Sequence, residues 1–415
     1  RANAARITDS VRALLALRYP RHEVVLVHDG GIDGHLAALI DAFELYAVPP
    51  AVLVNVPTGA VRGYYRSRRH GKLFVIDKPF AGHADDLNAA LNASRFPYIL
   101  TMDVGTALQP DALSRLMRPF LIGQRVAAVA GTVRIADGER GAVPTDARAR
   151  VPSDWLAGVR AVQSLRDEVY DRIGWNRLGG QHATHGGVLL HRRDHLLEVD
   201  GYRHGPADPE LELLMRVRHH LRVQRLADAV PVLPEPVGWT DARTSLQLLA
   251  RGRDAVYRGQ LEVLRERRAS LFTSRLATTR LLASAHLLAV AVLAPVLELA
   301  GYLLLLLALL VHGPADPFVP LFVLAVPGFA LLLTLWAVAI EAASVSGRGA
   351  GRGVVRLCVF AVAEQLGFRQ WLAWRRLRAM WAVLRGGPSG ERERVVAALG
   401  VEDAALSPAE RARAR

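Results

Sequence analysis

Two apolar runs in the last third constrain this chain more than any other feature. From Leu281 to Val311 and from Phe318 to Ile340 the sequence is nearly continuous Leu, Ala, Val and Phe, with the turn "HGPAD" between them. A helix crosses a bilayer with about 20 apolar residues, so the first run is too long for one untilted span. Pro295 and Glu298 divide it, predicting an interfacial or re-entrant helix followed by a span over roughly Val296 to Val311. Phe318 to Ile340 then returns across the membrane. The mean hydropathy of +0.17 comes from this region, because the residues before Leu281 read as an ordinary charged globular chain. The expectation is a soluble domain followed by a membrane region.

Charge narrows the partners. The net charge of +13 is almost all arginine, Lys72 and Lys78 being the only lysines, in a chain also rich in Ala, Leu and Gly. A composition of that kind does not point to nucleic acid, and no nucleic-acid partner is expected. The segments "SGRGAGRGVVR" and "FRQWLAWRRLRAMWAVLRGG" after the apolar runs combine Arg with Trp. Arginine marks the cytoplasmic side and contacts anionic membrane lipids, while Trp sits at interfaces. Both the soluble part and the tail are therefore expected in the cytoplasm of a multi-pass protein of the inner (plasma) membrane, with an amphipathic surface helix in the tail. Cys358 is the single cysteine, which excludes an internal disulfide. The chain starts at Arg1, without a signal peptide or leading hydrophobic span, and reads as a fragment whose preceding spans are unknown.

From Arg6 to about Ile135 helix and strand patterns alternate. "HEVVLVHDGG", "LFVIDK", "YILTMD" and "VAAVAGTVRI" read as strands, with "HLAALIDAF", "HADDLNAALNAS" and "PDALSRLMRPFL" as helices between them. That alternation predicts an α/β domain with a mostly parallel sheet. Ligands bind such sheets at the carboxyl ends of the strands, where Asp29 and Asp103 both fall. Each Asp alone is equally a turn residue or helix cap. Together they resemble a site for a nucleotide and its metal, since Mg2+ or Mn2+ on a diphosphate needs few protein carboxylates.

The order "EVVLVHDGGIDG", "DKPFAGHADDLNAALNASRFPYILTMDVGT", "GGVLLHRRDHLLEVDGYR" and "EQLGFRQWLAWRRLRAMWAVLRG" resembles membrane-bound family 2 glycosyltransferases with the A-type fold. Closest are bacterial synthase-like members related to cellulose, hyaluronan and poly-N-acetylglucosamine synthases. The resemblance implies a nucleotide-diphospho-sugar transferase domain over residues 1–270, truncated at its start. Interfacial and transmembrane helices would follow over 271–345, and a basic amphipathic cytoplasmic tail over 346–415. It implies inverting transfer of a sugar from a nucleotide-diphospho-sugar, a UDP-sugar first of all, to a glycan or lipid-linked acceptor. Asp29 and Asp85 match nucleotide-pocket residues, with Asn88 and His83 in the same "K-A-D-x-L-N"-type motif. Asp103 matches the first Asp of the metal-holding "D-x-D".

The departures form a pattern. His83 stands where the family has Lys, and Gly105 where it has the second Asp of D-x-D, weakening the Mg2+ or Mn2+ site. The general base falls on Glu210 in an ungapped register, with Asp208 the other candidate; both also suit the dipole at a helix start. The acceptor motif "Q-x-x-R-W" is replaced by Gly252 and Val256, leaving Tyr257 and Arg258 as acceptor-side residues. The alternative function is a catalytically impaired relative, a partner subunit for binding or assembly in a polysaccharide synthesis complex. Glu298 is either a polar lining for a departing sugar chain or a residue paired with a neighbouring helix. A metal cluster of His182, His185 and His191 is disfavoured, because nothing fixes their spacing on one face.

Overall fold

The computed structural model describes residues 2–30, 35–102, 105–122, 126–136, 151–152, 154–170, 187–241, 246–266, 285, 288–344 and 350–385. Asp103, His182 and His185 lie outside the described residues.

Two sheets organise the first two thirds of the chain. In the first, β1 (Val24–His28), β2 (Leu45–Val48), β3 (Gly63–Ser67) and β4 (Leu73–Asp77) lie in the order β1-β4-β3-β2. In the second, β5 (Tyr98–Met102), β6 (Thr106–Leu108), β7 (Ala128–Ala136), β8 (Val188–Arg192) and β9 (Val232–Asp241) lie in the order β5-β8-β7-β9-β6. Only β1–β4 and β7–β9 pair in parallel; the other pairings named among the described strands are antiparallel.

The expected mostly parallel sheet is therefore wrong: the sheet is mixed and mostly antiparallel. The reason lies in the strands that the alternation did not reveal. β3 inserts beside β4 and runs against it, while β8 inserts between β5 and β7 and runs against both. β9 carries Pro234 and Pro236, which argue against a regular strand. It is accommodated beside β7 by register shifts between Ala130 and Val133.

Helices cover these sheets. α1 (Ala2–Leu15) and α2 (His35–Phe43) close an apolar cluster with β4 around Val11, Leu39, Phe43 and Val75. α3 (His83–Ala93) carries Asp85 and Asp86 in its first turn, where acids favour the helix dipole, and ends at Ser94, whose hydroxyl donates to the Ala90 carbonyl (2.7 Å). α4 (Ala112–Leu121) packs Leu116 and Met117 against the second sheet. α5 (Trp155–Asp167) is capped by Asp154, whose carboxylate accepts from Ala157 N (3.0 Å). After β8 come α6 (Arg193–Glu198), α7 (Pro209–Val223) and α8 (Leu246–Glu266).

The apolar runs form α9 (Ala294–Val311), then α10 (Phe318–Val323) continuing through a π turn into α11 (Phe329–Ser344). Two helical stretches, Ala294–Val311 and Phe318–Ala343, are long and apolar enough to cross a membrane, and little of either is buried. Pro327 removes a backbone donor inside the second, which accounts for the π turn. α12 (Ala350–Ala363) and α13 (Arg369–Leu384) follow, with Gly367 in a positive-φ bend between them.

α5 joins the sheets to the C-terminal helices. Its Val162 and Leu165 pack with Val338 of α11 and Leu357, Phe360 and Ala361 of α12. Gly158 makes that contact possible, because a Cβ there would stand 2.2 Å from the Phe360 ring. On the same face Gln163 and Arg166 bond Glu364 (3.0 and 2.9 Å), and Arg166 reaches Thr334 of α11 (3.1 Å). Glu298 is paired with Arg369 (2.5 Å) and accepts from the Tyr302 hydroxyl (3.3 Å).

Candidate active site

The site grows from the carboxyl edge of β1 and β4. These strands are in register with His28 opposite Asp77, and His28 Nδ1 lies 2.9 Å from Asp77 Oδ1. Asp29 follows β1, half-buried, and Gly30 turns the chain at φ +73, a conformation that favours glycine. A Cβ at Gly30 would stand 2.6 Å from Arg62 Nη2, so this turn passes directly under that guanidinium. Arg62 in turn bonds the Lys78 carbonyl (2.7 Å) and pairs with Asp77 (3.3 Å).

Lys78, fully buried just after β4, is the centre of the cluster. Its ammonium pairs with Asp85 and with Asp86 (3.0 Å), both in the first turn of α3. Burial pushes the Asp86 carboxyl up to about 7; Lys78 opposes the shift, while Asp29 and Asp85 add to it. Three carboxylates thus share one electrostatic neighbourhood. His83 is the first residue of α3, and Lys78 is a permanent cation paired with the same helical turn.

α3 also holds the backbone around this edge. Asp85 Oδ1 accepts from Gly59 N (2.7 Å) and lies 3.7 Å from His204 Nε2. One turn on, Asn88 Oδ1 accepts from Tyr202 N (2.8 Å), and its Nδ2 donates to the carbonyls of Tyr202 (2.9 Å) and Pro57 (3.1 Å). Another turn on, Asn92 Oδ1 accepts from Asn55 N (2.9 Å) and Val56 N (3.0 Å). Asp85, Asn88 and Asn92 lie on one helical face, so a single ladder fixes residues 55–59 and, through Asn88, Tyr202.

The segment after Tyr202 leads to the two base candidates. Asp208 is buried and caps α7, its Oδ1 accepting from Leu211 N (3.0 Å), with Pro209 in the first turn. Glu210 is half-buried in that turn, close enough to Tyr202 to help raise its hydroxyl's pKa after burial, the larger cause. α8 lies alongside: Glu262 accepts from Ala207 N (2.7 Å), and a Cβ at Gly259 would stand 2.5 Å from Asp208 Cβ. Tyr257 is buried among Leu261, Leu264 and Ala379, its phenol pushed up to about 12 by burial, with the Arg376 guanidinium 6.0 Å from its ring opposing the shift. Arg258 is half-buried beside Asp254.

Asp29, Asp85 and Asn88 therefore gather at one edge, and His204 ties that edge to the segment bearing Asp208 and Glu210. Tyr257 is part of the packing between α8 and α13. No group of three or more His, Cys, Asp or Glu among the described residues could hold a metal ion. His191, on β8, is buried and pulled down to about 3 by burial and by His195. Lys78 and Arg62 escaped the sequence reading. The available signal was that Lys78, one of two lysines in the chain, directly follows an apolar strand.

Residues 2–185 match the family model described as glycosyl transferase family 2. This part of the chain is similar to family 2 glycosyltransferases. Two poly-beta-1,6-N-acetyl-D-glucosamine synthases of Staphylococcus epidermidis are each 23% identical over 129 residues, 31% of this chain and 26% of the synthase. The match thus spans about a quarter of the length of these curated relatives. The structure of mannosyltransferase PcManGT from Pyrobaculum calidifontis, in complex with GDP-Man and Mn2+, superposes with a TM-score of 0.53 at 14% identity. That superposition covers 92% of this chain and 84% of the mannosyltransferase, and the likeness is one of fold. The glycosyltransferase fold is thus distantly shared with bacterial polysaccharide synthases, and long apolar helices follow it.

Proposed function

We propose that this chain binds a nucleotide-diphospho-sugar at the edge formed by Asp29, Asp85 and Lys78, and transfers the sugar with inversion to a glycan or lipid-linked acceptor at the membrane. The observation that carries this reading is the pairing of Asp85 and Asp86 with one buried lysine at the carboxyl edge of β1 and β4, with Asp29 close enough to act on Asp86, within the segment that matches the family. Among the described residues, four carboxylates, those three and Asp77, have Lys78 and Arg62 as their permanent cations there. Such an edge accepts hydrogen bonds from the N–H groups of a base and the hydroxyls of a ribose; it repels a diphosphate. The diphosphate of the proposed donor is then expected away from this edge; Asp103, which the sequence resemblance implies for its metal, lies outside the described residues. Bound Mg2+ or Mn2+ would neutralise charge on the departing nucleoside diphosphate. Among the described residues no group of His, Cys, Asp or Glu offers a site for that ion.

Glu210 is the proposed base, because Asp208 already accepts a backbone N–H as a helix cap. A second reading is favoured by the same bonds: Asp85, Asn88 and Asp208 are all engaged in holding backbone, as a chain that keeps the scaffold for assembly would require. Titration of the full chain in detergent with UDP, UDP-sugars and GDP-mannose, with and without Mn2+, followed by nucleotide release, separates the two. Sugar-dependent release that is lost in Asp29→Ala and Glu210→Gln supports transfer. Binding without release in the unmodified chain supports the assembly subunit, and neither binding nor release removes the donor site altogether.

A further inference from the structure

The far end of α3 from Asp85 borders a cavity of about 500 Å³ between residues 48–55, β3, β4 and the start of α6. Its walls include Val52, Leu53, Phe74 and Ala93, and three arginines also line it. Arg95 is committed to Glu23 through two side-chain bonds (2.9 and 2.8 Å). Arg66 has its guanidinium 5.5 Å from the Phe74 ring, and Arg193 Nε is buried without a hydrogen-bond acceptor. No carboxylate lines the cavity, and among the described residues neither Arg66 nor Arg193 forms an ion pair. At the rim Leu53 and Val54 are 75% and 67% exposed.

Guanidinium groups beside an apolar wall, with no lining carboxylate to neutralise them, favour an anion over a neutral group. The volume falls within the usual range for small-molecule sites, which are mostly apolar with a few polar groups that fix orientation. We propose that this cavity is a binding site for a small amphipathic anion, its carboxylate, sulfonate or phosphate between Arg66 and Arg193 and its aromatic or short aliphatic body against Leu53, Phe74 and Ala93. The site is separate from the donor edge and does not depend on sugar transfer.

The test is calorimetric titration of the full chain in phosphatidylcholine nanodiscs with naphthalene-1-sulfonate and with the neutral naphthalene-1-methanol. The sulfonate binds one site, and binding weakens about tenfold or more in Arg66→Gln/Arg193→Gln, as the loss of a charge-assisted pair of bonds requires. Ala51→Trp, at an exposed position on the rim, blocks the cavity without loading the core and abolishes binding; it decides the matter if the double variant fails to fold. Equal affinity for the two probes, binding unchanged in both variants, or no saturable sulfonate binding would overturn the assignment. The last result would leave Leu53 and Val54 as a patch covered by a partner protein.

Discussion

Asp208 and Asp86 illustrate how one residue's surroundings decide between chemistry and scaffold. Asp208 caps α7, and replacing such a cap by alanine costs about 1 kcal/mol. Asn caps almost as well as Asp, so Asp208→Asn should unfold with the unmodified chain while Asp208→Ala unfolds earlier in urea. A loss of nucleotide release in Asp208→Asn at unchanged stability would instead make Asp208 the base. Asp86 makes a prediction about pH. Its folded-state carboxyl sits near 7 against about 3.8 in the unfolded chain, so folding favours its protonated form. Its contribution to stability is full below about pH 4, declines as pH rises through about 7, and is level above that. Unfolding temperatures of Asp86→Asn and the unmodified chain should therefore separate across pH 4–7, the variant gaining as pH rises; parallel curves would contradict the buried setting.

At the scale of elements, α5 shows what a single missing side chain permits. Gly158→Ala drives a methyl into the Phe360 ring, and overpacking of this kind costs about 1–3 kcal/mol. The expected result is a lower unfolding temperature that Phe360→Leu in the same chain partly restores. The elements also explain which parts of the fold were legible. α3 and the strands β1, β4, β5 and β7 announce themselves as apolar runs or as an amphipathic run between turn residues. β3 and β9 do not, because β3 (GYYRS) carries Gly, Arg and Ser in place of an apolar run and β9 contains two prolines. Those hidden strands bring most of the antiparallel pairing, so a reading confined to the visible strands arrives at a parallel sheet. The donor edge was legible in part for the same reason. Asp29 and Asp85 sit at the ends of visible elements, whereas Lys78 and Arg62 matter through contacts that cross between elements.

Across the whole molecule, the bonds from Gln163 and Arg166 to Glu364 clamp the sheet domain to the C-terminal helices. Glu364 is buried, and leaving its partners' charge without it should cost about 3 kcal/mol or more. Glu364→Ala is therefore expected to lower the unfolding temperature and, in limited proteolysis, to open cleavage near α5 before the sheets are cut. Simultaneous cleavage throughout would show that the clamp is not a separate unit of stability.

The same clamp sets a timetable for biosynthesis. Gln163 and Glu364 are 201 residues apart, a stretch that a ribosome adds in about 10–40 s at roughly 5–20 residues per second. During that interval the inner face of α5, with Gly158, Val162 and Leu165, has no partner from the later helices. That face stays open until the last helices emerge, so the C-terminal helices are the late-arriving cover of α5.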